Sequence, residues 1–432
     1  MEHPASIVPA VSSGPRFGKA LRFWLWLGFI SFGGPSGQIA LLHAELVEKR
    51  RWIAEDRFLA ALNYCMILPG PEATQLAIYL GWLLHGPAGG WAAGLGFILP
   101  SAALLWGLSW LYAAHGTALA VAALFHGLKA AVLAIVAVAL FRIARRTLQG
   151  WLPRLLAAAA FVALFFGKAP FPLVIAMAAA IGAAATLREK GKTPEVAPAI
   201  AFPPTPGPGM AAAARILALG AVLWLAPVAA LGLWLGWHHT VVREGLFFAK
   251  AALVSFGGAY AVLPYVAQQA VAHYGWLAPG QMIDGLGLAE STPGPLIIVL
   301  QFVGFLAAWQ APGTLSPLLA ATLGALVTTW MTFAPSFIAI FAGAPYIENL
   351  RLRRNRPLAG AVAAVTAAVV GVILNLAVWF AGGVVFPAKG FDAFAAVLAV
   401  AAFVLIGRWK WSPPAVLALC AAAGWGWARI SG

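Results

Sequence analysis

The chain has 432 residues, of which 62% are hydrophobic and only 9% are charged. Soluble domains carry roughly 25% charged residues, so this chain lacks the polar side chains that would cover a water-facing surface. The net charge of +14 does not indicate nucleic-acid binding, because the basic residues lie in short clusters between apolar segments, as in the cytoplasmic loops of membrane proteins.

Several apolar runs are longer than the ~20 residues that a helix needs to cross a bilayer. They do not alternate apolar with polar residues, which argues against a transmembrane barrel. We therefore predict an all-α polytopic membrane protein that lies in a lipid bilayer and does not bind nucleic acid. The runs are Trp91–Tyr112, Thr117–Phe141, Ile216–Trp237 and Leu358–Ala381.

The chain contains an internal repeat. Ser31-Phe32-Gly33-Gly34 recurs 224 residues later (31 to 255) as Ser255-Phe256-Gly257-Gly258, and the same offset takes Pro69-Gly70-Pro71 to Pro293-Gly294-Pro295. A third landmark, Pro100-Ser101, recurs as Pro335-Ser336. Three landmarks in the same order predict two copies of one structural unit.

The repeat divides the chain into five parts. We predict an N-terminal tail at residues 1–15, with no basic segment typical of a signal peptide. A first repeat at residues 16–187 precedes a cytoplasmic Pro-rich linker at residues 188–214, which we expect to be extended. A connecting transmembrane helix at residues 215–240 leads to the second repeat at residues 241–432.

Basic loops exchange places between the two copies. Lys49, Arg50 and Arg51 follow the first Ser-Phe-Gly-Gly segment, whereas the matching loop at residues 273–281 has no Lys or Arg. After the Pro-Ser segments the pattern reverses: residues 113–116 carry no Lys or Arg, and residues 351–356 carry four arginines. Because basic loops favour the cytoplasm, we predict that the two repeats have inverted topology.

The repeated glycines and prolines interrupt apolar segments. Non-helical backbone at membrane depth is tolerated only where protein buries it or where it lines a watery cavity. Matched interruptions in two inverted halves indicate a transporter's substrate site, and the freed N–H groups of half-helices suit a small anion. The alternative is that the interruptions are kinks that only pack against neighbouring helices. In either case we predict broken or re-entrant helices, and whether the Ser-Phe-Gly-Gly segments are re-entrant or fully spanning stays open. The predicted substrate-binding residues are Gly33, Gly34, Ser36, Gln38, Pro69, Gly70, Pro71, Thr74, Gln75, Lys250, Gly257, Gly258, Ser291, Thr292, Pro293, Gly294 and Pro295.

Ionisable residues inside apolar segments are functional candidates because burying a charge in a membrane is costly. Glu72 and Glu290 lie beside the two Pro-Gly-Pro segments, and we predict that one of them couples transport to protons. Lys250 is a possible charge partner for the anion, although it and Lys129 can also extend towards the interface. Asp284 is expected near an interface.

These motifs resemble the chromate ion transporter family in its long, two-domain form. The resemblance rests on SFGGPSGQIALLHAELVEKRRWI and LPGPEATQLAIYLGW in the first copy, and on SFGGAYAVLPYV and AESTPGPLIIVLQFVGF in the second. It implies a multi-pass protein of the cytoplasmic (inner) membrane that exports chromate and confers chromate resistance. Sulfate is the natural competitor, because it is a tetrahedral dianion of similar shape.

Other functions are less well supported by the sequence. An enzyme would need a nucleophile with a base or a metal cluster, and no such pattern or cofactor motif is present, so we expect neither a metal nor a cofactor. The chain has no phosphate-binding loop for ATP, which leaves a proton or a counter-anion as the driving partner. A transporter of sulfate or another oxyanion, an anion channel and an oligomeric assembly all remain open.

Overall fold

A computed structural model describes residues 14–32, 34–116, 118–188, 210–256, 259–347, 356–387 and 390–431. Within these ranges the chain forms sixteen α-helices and no strand, which confirms the predicted all-α class. The first seven helices are α1 (Phe17–Ile30), α2 (Gly34–His43), α3 (Glu55–Cys65), α4 (Glu72–His115), α5 (Leu119–Thr147), α6 (Trp151–Phe165) and α7 (Phe171–Arg188).

The remaining helices follow residues 189–209, the part of the predicted linker that lies outside the described residues. The helix predicted to connect the repeats begins at Met210, inside the predicted linker range. The later helices are α8 (Met210–Leu235), α9 (Thr240–Leu253), α10 (Ala259–Gln268), α11 (Pro279–Ser291), α12 (Val299–Gln310), α13 (Pro317–Ile347), α14 (Arg356–Val385), α15 (Ala393–Gly407) and α16 (Pro413–Ser431).

Five of these helices are long and apolar enough to cross a membrane. Large apolar side chains are exposed on them, for example Leu233 at 82% and Leu326 at 61%, as expected for surfaces that face lipid. The chain is therefore a multi-pass membrane protein. The spans are Glu72–His115, Leu119–Thr147, Ala211–Leu235, Pro317–Ala344 and Pro357–Val385.

Helices are interrupted at all four predicted positions. The first helix ends at Ile30 and the second begins at Gly34, while α9 ends at Leu253 and α10 begins at Ala259. The two Pro-Gly-Pro segments separate α3 from α4 and α11 from a short 3₁₀ turn that precedes α12. Gly70 and Gly294 both have positive φ, at 121° and 107°, which residues with a Cβ rarely adopt.

The sequence offset is visible as matched local structure. Both copies end their second helix in a π-helical turn, at Ala44–Lys49 and at Gln269–His273. The N–H of Trp52 donates to the carbonyl of Leu46 at 2.8 Å, and the N–H of Trp276 donates to the carbonyl of Ala270 at 2.7 Å. The two turns are thus built by the same hydrogen bonds.

Each π-helical turn closes an aromatic cluster. In the first copy the Arg50 guanidinium lies 4.7 Å from the ring of Phe23 and 5.3 Å from that of Trp52. At the equivalent position of the second copy, Tyr274 stacks on Trp276 with ring centroids 4.2 Å apart. Cation–π contact in one copy is therefore replaced by ring stacking in the other.

Each copy supplies a hydrogen-bond acceptor to the interrupted backbone of the other copy. The N–H of Gly70 donates to the carbonyl of Ser255 at 2.8 Å, and the N–H of Gly294 donates to the carbonyl of Ser31 at 2.8 Å. These bonds satisfy buried backbone groups that no helix satisfies. Longer helices also pack across the two copies. Helices α6 and α7 of the first copy pack on α14 of the second, and α15 and α16 of the second copy pack on α5 of the first.

Candidate functional site

A cavity of about 640 Å³ lies where the interruptions of the two copies meet. Gly34 and Ser36 line it from the first copy, and Phe256 and Tyr260 line it from the second. Long helices α5 and α14 supply much of the remaining wall. Its volume is within the range of about 300–1,000 Å³ that is usual for small-molecule sites.

Two carboxyl groups face the cavity, and both were predicted from the sequence. Glu72 is the first residue of α4, directly after the first Pro-Gly-Pro segment. Glu290 lies near the end of α11, and its Oε1 accepts a hydrogen bond of 2.7 Å from the Tyr260 hydroxyl. The cavity therefore brings together one acidic residue from each repeat.

Two guanidinium groups also line the cavity, and sequence reasoning missed them. Arg142 and Arg146 lie one turn apart near the C-terminal end of α5, and both are exposed. Neither forms an ion pair with a carboxylate of the described residues. Guanidinium groups bind oxyanions through paired N–H donors, so this pair can bind a tetrahedral dianion.

A periodic pattern in α5 could have identified these arginines. The residues of α5 that line the cavity are spaced three or four apart, so they share one helix face. Arg145, in the same basic cluster, does not line the cavity. The lining residues of α5 are Ile135, Val138, Ala139, Arg142, Ile143, Arg146 and Thr147.

Four of the predicted site residues that the structure describes line the cavity in this conformation: Gly34, Ser36, Glu72 and Glu290. Gly33, Gly257 and Gly258 lie outside the described residues. Lys250 lies in the last turn of α9 with its side chain exposed, away from the cavity lining. The predicted residues that do not line the cavity are Gln38, Pro69, Gly70, Pro71, Thr74, Gln75, Lys250, Ser291, Thr292, Pro293, Gly294 and Pro295.

Two predicted glutamines hydrogen-bond to the backbone of the interruptions in this conformation. The amide of Gln38 donates to the carbonyl of Gly294 and, at 3.3 Å, to that of Ser31. The amide of Gln75 donates to the carbonyl of Pro69 at 2.6 Å. Each glutamine therefore satisfies carbonyl groups that the helix interruptions leave free.

The predicted hydroxyl residues bond within their own segments. Ser291 donates to the carbonyl of Leu288 at 2.8 Å, and Thr292 donates to that of Ala289 at 3.0 Å. The hydroxyl of Thr74 is buried and has no hydrogen-bond partner among the described residues. None of these three hydroxyls points to the cavity in this conformation.

An ion pair lies beyond one end of the cavity. Lys129 Nζ lies 3.3 Å from Asp284 Oδ1, and the Tyr112 hydroxyl donates to Asp284 Oδ2 at 2.9 Å. The Asp284 side chain is buried within the protein. This Lys129–Asp284–Tyr112 cluster links α4, α5 and α11.

The position of the cluster follows from the helix rise. Lys129 precedes the first cavity residue of α5, Ile135, and Asp284 precedes Glu290 of α11, each by six residues (129 to 135, 284 to 290). Both offsets correspond to about 9 Å along a helix. The cluster thus lies beyond one end of the cavity, and Arg142 and Arg146 lie towards the other end.

No group of three or more His, Cys, Asp or Glu side chains suited to a metal ion is present within the described ranges. The polar groups at the cavity are two carboxyls, two guanidiniums, the Tyr260 hydroxyl and a few small hydroxyls. This set suits the binding of an anion more than metal coordination.

Matched helix interruptions around an internal cavity are typical of secondary transporters. The chain belongs to the chromate transporter family, whose sequence model matches residues 18–183 and 243–425. This confirms the resemblance seen in the motifs. No solved structure matches the chain.

Similar proteins cover almost the whole chain. The chain is 34% identical to a chromate transport protein of Pseudomonas aeruginosa, over 98% of this chain and 94% of that protein. It is 29% identical to a chromate transport protein of Cupriavidus metallidurans, over 94% and 92%. It is 28% identical to a probable chromate transport protein of Synechococcus elongatus, over 93% of each. All three are described as transport proteins, which supports a transport function rather than an enzymatic one.

Proposed function

We propose that this protein is a secondary transporter that exports chromate across the cytoplasmic membrane and so confers chromate resistance. Membership of the family and the names of the relatives support chromate as the substrate. The observation that carries the proposal is the cavity, in which Arg142 and Arg146 lie with Glu72 and Glu290 between two sets of helix interruptions.

Charge supports an oxyanion as the cargo. Two guanidinium groups offset the charge of one dianion, and their N–H donors match its oxygen atoms. The apolar residues that form most of the wall lower the local dielectric, which strengthens this attraction. Sulfate shares the charge and shape of chromate, so we regard a transporter of sulfate or another oxyanion as the alternative.

The geometry also supports alternating access. The basic residues at positions 142, 145 and 146 favour the cytoplasmic side for that end of α5, so the cavity opens towards the cytoplasm. The Lys129–Asp284–Tyr112 cluster lies beyond the opposite end. In this proposal the cluster keeps that end closed. Export then requires this cluster to separate while the two repeats, in inverted topology, close the cytoplasmic end. A closed end argues against a continuously open anion channel.

Protons or a counter-anion drive the cycle in this proposal. Glu72 and Glu290 share the cavity with the anion site, so their charge bears directly on anion binding. An ionised carboxylate repels a bound dianion, and a protonated one does not. Proton occupancy and anion occupancy are therefore thermodynamically linked.

The test measures radiolabelled chromate in inside-out vesicles from cells that express the protein, with an imposed pH gradient and with sulfate as competitor. We expect accumulation above that of vesicles lacking the protein, and loss of accumulation in Arg142→Gln. Stronger accumulation of sulfate than of chromate would move the proposal to the alternative substrate. No accumulation of either anion under any gradient would contradict the proposal.

A further inference from the structure

Another acidic residue, Glu244, lies in the helical bundle away from the cavity, and the sequence motifs did not identify it. Glu244 belongs to α9, and its side chain is fully buried. Neither Oε1 nor Oε2 has a hydrogen-bond partner among the described residues. Buried polar groups in proteins are almost always hydrogen-bonded, so this carboxyl group requires an explanation.

The carboxyl group lies against a crossing of α12 and α13. A Cβ atom on Gly324 would lie 2.7 Å from Glu244 Oε2 and 2.9 Å from Ala308 Cβ, so the missing side chain makes room for the carboxyl group. Thr328 lies one turn further along α13, against Gly304 of α12. Its hydroxyl is also buried without a partner in the described part of the chain. Two unpartnered polar side chains therefore meet the same helix crossing.

No cation neutralises Glu244 within the described residues. Helices α12 and α13 contain no Asp, Glu, Lys, Arg or His. On α9 itself, Arg243 lies over the Tyr274 ring at 5.2 Å, and the Lys250 side chain is exposed. The other charged or titratable residues on helices that pack against α9, α12 or α13 are Arg215 of α8, Tyr260 and Tyr265 of α10, Asp284 and Glu290 of α11, Glu55, Asp56, Arg57, Tyr64 and Cys65 of α3, and Glu72, Tyr79, His85, Tyr112 and His115 of α4.

The first repeat shows that this packing needs no acidic residue. At the 224-residue offset (20 to 244), Ala20 occupies the position of Glu244. The corresponding crossing in the first repeat packs Gly81 against Gly89 and Ala93, with Ala93 at the place of Thr328. The same close approach of helices is made there by glycine, alanine and the Cβ of His85, without an acidic residue. Glu244 and Thr328 are therefore additions to a crossing that is stable without them.

A charged carboxylate at this position would cost several kcal/mol, because the side chain is fully buried and no counter-charge of the described residues compensates it. We propose that Glu244 is a proton-binding site of the transporter, separate from the anion cavity and carrying a proton in this conformation. Its hydroxyl neighbour, Thr328, is the polar group next to that site. This inference rests on the proposed transport function.

Helix α9 connects the site to the cavity. Glu244 precedes Val254, which lines the cavity at the interruption after α9, by ten residues (244 to 254) or about 15 Å of helix. A movement of α9 relative to α12 and α13 that reshapes this interruption also exposes the carboxyl group. Release of the proton is thus tied to the conformational step rather than to direct contact with the anion.

The first test measures proton flux and chromate flux together in liposomes that contain the purified full chain and a pH-sensitive dye. Glu244→Gln keeps the shape of the neutral acid but cannot release a proton. We expect this variant to lower the ratio of protons to chromate at least ten-fold, while chromate binding remains. Glu48→Gln, at a side chain that is 63% exposed, is the matched control and should keep the wild-type ratio.

The second test does not depend on transport. Infrared difference spectra of wild type and Glu244→Gln should show one protonated carboxylic acid band that only the wild type has. A missing band, or a wild-type proton ratio in Glu244→Gln, would overturn the inference. Chromate exchange without any proton flux in the wild type would overturn it too, and would leave the proposed function intact. A wild type that moves no chromate would contradict the proposed function, and the infrared band would still decide the inference.

Discussion

The first and second repeats form the same interruptions but place their charged residues differently. Gly70 and Gly294 have the same positive φ and the same 2.8 Å bond to the opposite repeat. In contrast, Asp284 and Glu244 of the second repeat correspond to Ala60 and Ala20 of the first. The backbone of the interruptions is thus shared, while ionisable groups such as Asp284 and Glu244 have no charged counterpart in the other repeat.

This difference indicates which features serve the fold and which serve function. Features present in both repeats include the π-helical turns and the exchanged hydrogen bonds, and these hold the interruptions in place. Features without a counterpart in the other repeat include Arg142 and Arg146 of the first repeat and Asp284 of the second, which pairs with Lys129 of the first.

The largest effect is expected from Gly294→Ala. The new side chain would adopt an unfavourable φ and overlap Ser101 Cβ and Oγ, so we expect a loss of about 3 kcal/mol or more and little folded protein. In Gly70→Ala the nearest atom is the end of the flexible Gln75 side chain, so the loss should be smaller. The yield of monodisperse protein in detergent measures both.

Gly382→Ala is the control for these glycine variants, because nothing lies within 4 Å of the added Cβ. It should fold like the wild type. Equal yields for Gly294→Ala and Gly382→Ala would show that the interruption at Gly294 tolerates a side chain. They would contradict the conclusion that the shared backbone of the interruptions serves the fold.

The next effect concerns the Lys129–Asp284–Tyr112 cluster. Lys129→Met leaves Asp284 buried without its cation, which should cost about 3 kcal/mol. Adding Asp284→Asn should recover most of that loss, because no unpaired charge remains. Thermal unfolding of the two single variants and the double variant gives the coupling energy. Additive losses would show that the ion pair does not act as a unit.

A smaller effect is expected at the anion site. Arg142→Gln and Arg146→Gln each remove charged donors, and we expect chromate transport to fall about 10- to 100-fold, which corresponds to roughly 1.5–3 kcal/mol. Arg145→Gln changes the same basic cluster away from the cavity and should keep most activity. Initial rates in vesicles make the comparison. Equal losses in all three variants would indicate a general effect of basic charge instead of a site.

The smallest effect is expected at Arg50, whose counterpart in the second repeat is Tyr274. Arg50→Tyr should keep the aromatic packing with Trp52 but lose the bond to Glu45, for a change of about 1 kcal/mol. Thermal unfolding measures this change. A loss as large as that of Lys129→Met would show that the two aromatic clusters are not equivalent.

The fold was largely predictable because composition, apolar runs and an ungapped repeat are properties of the sequence. The interruptions were predictable because glycine and proline act locally on the backbone. The pairing of Lys129 with Asp284 was not, since the two residues are far apart in the chain and only helix packing brings them together. The backbone hydrogen bonds of Gln38 and Gln75 were not predictable either, because polarity beside a break does not reveal its hydrogen-bond partner.

The cavity was predicted in part. Glu72 and Glu290 were found because ionisable residues stand out beside an interruption. Arg142 and Arg146 were missed because a basic cluster at the end of an apolar run also marks membrane topology. Glu244 was missed because it lies on a short half-helix beside Arg243, where a charged pair suggests an interface.

The exchanged hydrogen bonds also have a consequence for how the protein is made. When the ribosome has produced only the first repeat, the N–H of Gly70 still lacks its acceptor, Ser255, which comes from the second repeat. Until that segment is inserted, an unsatisfied amide remains in the bilayer. The nascent first half is thus an incomplete intermediate that quality-control proteases can recognise. A chain cut between the repeats should be degraded unless the missing half is supplied as a second polypeptide.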